Sequence, residues 1–135
     1  MSLQKPDKRT IIFEDDKLYV CLASLPITAG HTIVAWKDNV KDLNMLNKSD
    51  YEHLMEAVDT TRGIMQKVLD VEKVYLLYMD EAQHVHWQLV PRYKDEGVNL
   101  LAHKPKNLQI IALLINSSLD GHNKYNFHHH PEPNN

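Results

Sequence analysis

Cysteine, basic runs and long apolar stretches are scarce or missing in this 135-residue sequence. Its single cysteine, Cys21, excludes an intramolecular disulfide and favours a reducing, cytoplasmic setting. The formal net charge is −3 without any basic run, which argues against a nucleic-acid partner. No apolar stretch reaches the length of a membrane span, and charged residues near the start interrupt any signal-peptide core. The length predicts a single domain with no membrane partner.

Residues 83–92, Gln-His-Val-His-Trp-Gln-Leu-Val-Pro-Arg, carry the clearest local pattern. Apolar and polar side chains alternate there, with Val85, Trp87 and Leu89 in one set and His84, His86 and Gln88 in the other. Successive side chains of a strand point to opposite faces, so this alternation predicts a half-buried strand with three polar groups in one row. Pro91 lacks an amide hydrogen, and we expect strand pairing to end there.

Two simpler interpretations of this row are open. An exposed polar sheet face can contain histidines by chance. Two histidines at positions i and i+2 can also share a zinc ion, but zinc sites need three or four protein ligands. Gln88 is a poor zinc ligand, and no second cysteine or His-Glu-x-x-His motif accompanies the pair.

The remaining elements follow from periodicity and turn signals. Strands are predicted at residues 9–14 and 18–23, after His31, and at residues 71–79. Together with the strand of residues 83–92, one long helix and a second helix at 108–119, they give the order strand, strand, strand, helix, strand, strand, helix. Antiparallel strands with helices on one face predict an α+β fold.

The long helix is predicted to begin at Ser49, because Glu52 three residues later completes a capping-box pattern. One apolar stripe then recurs at helical spacing and is expected to pack on the sheet. Its members are Tyr51, Leu54, Met55, Val58, Met65, Val68 and Leu69. His53 is expected on the solvent side.

Three segments resemble the histidine triad superfamily. The sequence at 84–92 is similar to its signature of His, apolar, His, apolar, and His or Gln, followed by two apolar residues and often Pro-Arg. Ile-Phe-Glu-Asp-Asp at 12–16 resembles the first hairpin of that family, and the Pro-to-Gly loop before His31 resembles the segment with its fourth histidine. The resemblance covers residues 9–103 and implies a five-stranded antiparallel sheet with a long and a C-terminal helix. It also implies a homodimer. From the sequence itself we expect a single domain at residues 1–120 and a disordered tail at 121–135.

The resemblance implies catalytic roles for four residues. His86 would attack the α-phosphorus of a nucleotide to form a nucleotidyl-histidine, with its other ring nitrogen bonded to a backbone carbonyl. His84 would support that arrangement, and His31 would orient His84. Gln88, an amide, can donate a hydrogen bond to a phosphoryl oxygen but cannot titrate.

The resemblance also implies binding roles. Apolar residues around the first hairpin, Phe13 among them, would hold the nucleobase. Gln83 and Arg92 are candidates for phosphate contacts, since arginine is suited to bidentate phosphate binding. Ala23 occupies the position at which relatives bind the ribose hydroxyls with an acidic or amide side chain, and this departure weakens the expectation of a purine nucleoside.

Two features point to different branches of the family. Gln88 resembles the galactose-1-phosphate uridylyltransferase and diadenosine tetraphosphate phosphorylase branches, in which the nucleotide passes to phosphate, whereas the short chain resembles the small hydrolases. We therefore expect a hydrolase or nucleotidylyltransferase acting on a nucleoside phosphate ester, a phosphoramidate or a dinucleoside polyphosphate, with no cofactor and no metal. A catalytically weak nucleotide-binding protein of the same fold is the alternative.

Overall fold

The computed structural model of the chain describes residue 3 and residues 5–79, 82–94 and 96–97. Its strands are β1 (Ile11–Glu14), β2 (Leu18–Leu22), β3 (Thr32–Trp36), β4 (Lys73–Tyr78) and β5 (His86–Arg92), and its α-helix is α1 (Lys48–Val68). The strands form one antiparallel sheet in the order β1-β2-β3-β5-β4. The predicted α+β class and five-stranded antiparallel sheet are confirmed. The predicted C-terminal helix, the tail and the domain boundary at residue 120 lie outside the described residues.

The turn between β1 and β2 is held by a carboxylate. Asp15 Oδ1 accepts the backbone N–H groups of Lys17 and Leu18, each at 2.8 Å. A register shift separates Ile11 from Phe13 in the β1–β2 ladder, so that Ile11 pairs with Cys21 and Phe13 with Val20. A bulge of this kind changes the face to which the following side chain points.

The N-cap of helix α1 lies two residues before the predicted cap position. Its N-cap is Asn47, whose side-chain oxygen accepts the N–H of Asp50 at 2.8 Å, and Ser49 lies inside the first turn. The predicted start at Ser49 is therefore wrong by two residues, because Asn47 is an equally good capping residue. Of the predicted stripe, Leu54, Val58 and Met65 are buried, whereas Tyr51 is 42% exposed.

The core lies between α1 and one face of the sheet. That face, the helix face, carries alternate side chains of the strands, including Leu18, Val20, Val34, Trp36 and Leu89, and they pack with Leu54, Ala57, Val58 and Met65 of α1. Residues directly paired across antiparallel strands share a face. The opposite face, called here the distal face, therefore carries Tyr19, Cys21, Ile33, Ala35, His86 and Gln88.

Pairing of β5 ends at different points on its two sides. The ladder with β3 ends at Leu89, opposite Thr32. The ladder with β4 continues through Pro91 to Arg92, opposite Lys73. The prediction that pairing ends at Pro91 is thus wrong on the β4 side, where the residue is accommodated within the ladder. Within the described part of the chain, no helix is both long and apolar enough to cross a membrane.

Candidate functional site

His86 and Gln88 lie side by side on the distal face of the sheet. His86 pairs with Ala35 and Gln88 with Ile33 of β3, so both side chains point away from helix α1. The alternating pattern of the sequence predicted this shared direction. His84, however, precedes the strand, because β5 begins at His86 and Gln83 adopts a left-handed backbone conformation with φ of 50°.

The sheet ladder is interrupted where His84 meets β3. Trp36 donates its N–H to Val85 O at 3.0 Å, but the N–H of Val85 turns away and bonds to Val40 O at 2.8 Å. In a regular antiparallel pair Val85 would return its N–H to Trp36 O. The imidazole of His84 takes that place, and its Nε2 donates to the Trp36 carbonyl.

His86 is fixed in one tautomer by the backbone of its neighbour. Its Nδ1 lies 2.7 Å from His84 O. A carbonyl oxygen only accepts hydrogen bonds, so Nδ1 carries the proton and, in the neutral ring, Nε2 carries the lone pair. His86 is 4% exposed, and little water competes for this contact. The expected bond between the nucleophile candidate and a backbone carbonyl is therefore present.

His31 bonds to Gln88, not to His84. The backbone N–H of Ile27 donates to His31 Nδ1 at 3.1 Å, and His31 Nε2 lies 3.0 Å from Gln88 Oε1. Because Nδ1 accepts, the proton of the neutral ring is on Nε2, which donates to the amide oxygen. Both ring nitrogens are thus used, and the predicted orientation of His84 by His31 is wrong. Trp36 O takes that role.

The amide of Gln88 is consequently oriented. Its oxygen faces His31, so its NH₂ group is directed away from His31 with two hydrogens to donate. His31 itself is 3% exposed, and burial lowers its pKa to about 4. The ring therefore stays neutral near pH 7 and continues to donate to Gln88 Oε1.

Phe13 lies on the wrong face for the predicted nucleobase role. It pairs with Val20 and packs against the core on the helix face, whereas His86 is on the distal face. The bulge in β1 causes this reversal, and Ile11, paired with Cys21, takes the distal face in its place. The sequence gives no signal for this bulge.

Arg92 is remote from His86 although both belong to β5. They are six positions apart, which corresponds to about 20 Å along a strand. The Arg92 guanidinium lies 3.7 Å from Glu72 Oε2. This position does not support a contact with a phosphate that His86 attacks. Gln83 lies next to His84 and is exposed, so its predicted phosphate contact stays a proposal.

Two other residues, Cys21 in β2 and Ala23 just after it, also bear on the chemistry of the site. Burial raises the pKa of the Cys21 thiol to about 12, which keeps it protonated and unreactive. Ala23, just after β2, is buried and donates its N–H to His31 O at 2.9 Å. Its methyl group offers no hydrogen bond to a ribose.

A metal centre finds no support in the described residues. Among them, no group of three or more His, Cys, Asp or Glu side chains is placed to hold a metal ion. His31 uses both of its ring nitrogens in hydrogen bonds, so it has no lone pair left for a metal ion. The arrangement instead offers one nucleophilic nitrogen beside one amide donor.

Comparisons with known proteins identify a family and a shared fold. The family described as HIT domain matches residues 4–95. An uncharacterized HIT-like protein of Borreliella burgdorferi is 22% identical over 107 residues, which cover 73% of this chain and 77% of that protein.

Two solved structures share the fold. The Plasmodium falciparum diadenosine triphosphate hydrolase superimposes with a TM-score of 0.70 at 16% identity, over 91% of this chain and 82% of that one. The C. elegans NitFhit protein gives a TM-score of 0.69 at 19% identity, over 83% of this chain but only 27% of that longer one.

Proposed function

Because the chain belongs to the HIT domain family, whose fold is that of nucleotide-binding hydrolases and transferases, we propose that it transfers a nucleotidyl group through His86. Its substrates are nucleoside phosphate esters, phosphoramidates or dinucleoside polyphosphates. The observation that carries this proposal is the hydrogen bond from His86 Nδ1 to His84 O, since it leaves the Nε2 lone pair for attack on phosphorus.

The first step requires no proton from the protein if the leaving group is an anion. The Nε2 lone pair forms a bond to the α-phosphorus, and the bond to the leaving group breaks with its electron pair. The imidazole then carries a positive charge, which the Nδ1–H bond to His84 O stabilises. The NH₂ group of Gln88 donates to a phosphoryl oxygen as negative charge accumulates there.

The non-titrating amide favours anionic leaving groups and acceptors. A phosphate or polyphosphate departs without a proton, whereas an amine must be protonated as it leaves, and Gln88 cannot supply that proton. In the second step an oxygen of the acceptor attacks phosphorus and the electron pair of the P–N bond returns to Nε2. Water must lose a proton in that step and a phosphate oxyanion need not, so the same argument favours phosphate as acceptor.

A nucleotide-binding protein with little turnover is the second candidate. Two observations favour it. Gln88 replaces a group that can titrate, and Ala23 offers no side-chain acceptor for ribose hydroxyls. In this case the distal face would bind a nucleotide without completing transfer.

One set of incubations separates these functions. The protein is incubated with a dinucleoside polyphosphate or an adenylyl phosphoramidate, each with and without added phosphate. Turnover that depends on phosphate supports a transferase, turnover in water alone a hydrolase, and binding without turnover the second candidate. The control is His86→Asn, whose amide can still donate to His84 O but lacks the Nε2 nucleophile, and we expect it to bind nucleotide without turnover.

We also propose that the chain is a cytoplasmic homodimer. Within the described sheet β4 is an edge strand, and its Leu76 is 43% exposed. An edge strand with exposed apolar surface is a common site of self-association. Sedimentation equilibrium of the full chain tests this, and a monomer at micromolar concentration would contradict it.

A further inference from the structure

His53 is not on the solvent side but bonds to the β1–β2 turn. Its Nε2 lies 2.7 Å from Asp15 Oδ2, and both side chains are largely buried, at 20% and 19% exposed. The His53 ring also meets the indole of Trp36 edge-on, with ring centroids 6.3 Å apart and planes at 75°. Helix α1 therefore contacts, through one imidazole, both the turn and the last residue of β3.

The hydrogen bonds continue from Asp15 to the end of β3. Asp15 Oδ1 accepts the N–H of Lys17, and Lys17 O accepts the N–H of Lys37 at 2.7 Å. A trans peptide is planar, so the Lys37 N–H and the Trp36 carbonyl belong to one rigid unit and point in opposite directions. The bond to Lys17 O therefore fixes the direction of Trp36 O.

The series of hydrogen bonds continues from Trp36 to His86, the candidate nucleophile. Trp36 O accepts from His84 Nε2, and His84 O accepts from His86 Nδ1. Since the β3–β5 ladder does not hold Trp36 O, its direction depends on the peptide plane and on the packing of the Trp36 ring. The Trp36 ring contacts His53, and the Trp36–Lys37 peptide is linked to Asp15 through the backbone of Lys17.

We propose that His53 and Asp15 are positioning residues that hold the Trp36 carbonyl, and through it the ring orientation of His84 and His86. The proposal rests on the proposed function for its kinetic consequences only. The hydrogen-bonded ring protons of His84 and His86 report the same positioning in the free protein, without any substrate.

A second contact between the turn and the helix supplies a matched control. Lys17 Nζ pairs with Asp50 Oδ1 of α1 at 2.7 Å. Only the backbone of Lys17 belongs to the series that leads to Trp36, so Lys17→Met removes a turn–helix contact and leaves the series intact. His53→Phe keeps a ring against Trp36 but loses the donor, and His53→Gln keeps a donor that can reach Asp15.

The test combines NMR of the imidazole N–H groups with steady-state kinetics. In His53→Phe we expect the signals of His84 Nε2–H and His86 Nδ1–H to shift or broaden, and kcat to fall about tenfold with KM little changed, as for a misplaced reacting group. His53→Gln and Lys17→Met should keep both signals and kcat close to those of the wild type. Asp15→Asn, which retains an oxygen for the two backbone N–H groups of the turn, should resemble His53→Phe in the signals.

Two outcomes would overturn the proposal. One is a folded His53→Phe, or Asp15→Asn if His53→Phe does not fold, with wild-type signals for both ring protons. The other is a Lys17→Met variant that changes those signals as much as His53→Phe, because docking of the turn alone would then explain them. If the wild type shows no turnover at all, the proposed function fails, and the NMR comparison still decides this inference.

Discussion

His31 and Gln88, 57 residues apart in the chain, are joined by a hydrogen bond of 3.0 Å from the His31 ring to the amide oxygen. The donor assignment follows from the Ile27 N–H, which occupies the other ring nitrogen. The Gln88 amide oxygen therefore accepts from His31, and its NH₂ group is the part of the side chain that can donate on the distal face. This arrangement has consequences for the preferred leaving group and for the pH dependence of folding stability, and both can be measured.

Replacing Gln88 tests the donor role. Gln88→Glu can still accept from His31 but presents a carboxylate oxygen where the NH₂ was, and repulsion of phosphate should lower kcat/KM by a factor on the order of 100. Gln88→His adds a group that can protonate an amine. We expect it to raise turnover of an adenylyl phosphoramidate while changing turnover of a dinucleoside polyphosphate little. Equal effects on the two substrates would contradict the leaving-group argument.

The depressed pKa of His31 predicts a loss of stability in mild acid. The folded pKa of about 4 lies below the ordinary value of 6.5, so the unfolded chain binds this proton more readily. Stability is fully present above pH 6.5 and falls as the pH decreases toward 4, by up to about 3 kcal/mol from this group. Urea unfolding of the wild type and of His31→Gln across this range measures the difference. Parallel pH dependences would show that His31 is not the group responsible.

Much of the fold and part of the site could be predicted from the sequence. Alternation placed His86 and Gln88 on one face because strand periodicity is local information. The bulge in β1 depends on how β1 pairs with β2, which the local pattern does not specify, and it places Phe13 on the helix face. The partner of His31 also depends on how β3 and β5 come together, which one sequence does not reveal. His84 lies outside β5 because Val85 bonds to Val40, a contact of the loop after β3.

Two buried threonines provide a stability test that is independent of function. Within the described residues, Thr61 Oγ1 is buried without a hydrogen-bond partner, whereas Thr32 Oγ1 donates to Gly30 O at 2.8 Å. Thr61→Val should therefore stabilise the fold by about 1 kcal/mol, and Thr32→Val should destabilise it by about the same amount. Thermal and urea unfolding of both variants measure these changes. A destabilised Thr61→Val would indicate that the hydroxyl has a partner in solution.

The alkylation rate of Cys21 measures how accessible the distal face of the sheet is. The buried thiol, with its pKa raised to about 12, should react with iodoacetamide at pH 8 far more slowly than a free thiol, by a factor on the order of 1,000 from the lost thiolate alone. Denaturant should restore the rate of an exposed cysteine. Rapid alkylation of the native protein would mean that this face opens readily.

The nucleotidyl-His86 intermediate is the most direct test of the proposed function. The protein is mixed with a dinucleoside polyphosphate in the absence of added phosphate, quenched in alkali, where phosphoramidates survive, and analysed by peptide mass spectrometry. We predict a nucleoside monophosphate attached to the peptide that contains His86, absent in His86→Asn. Turnover without any such adduct, or an adduct that persists in His86→Asn, would contradict the assignment of His86 as the nucleophile.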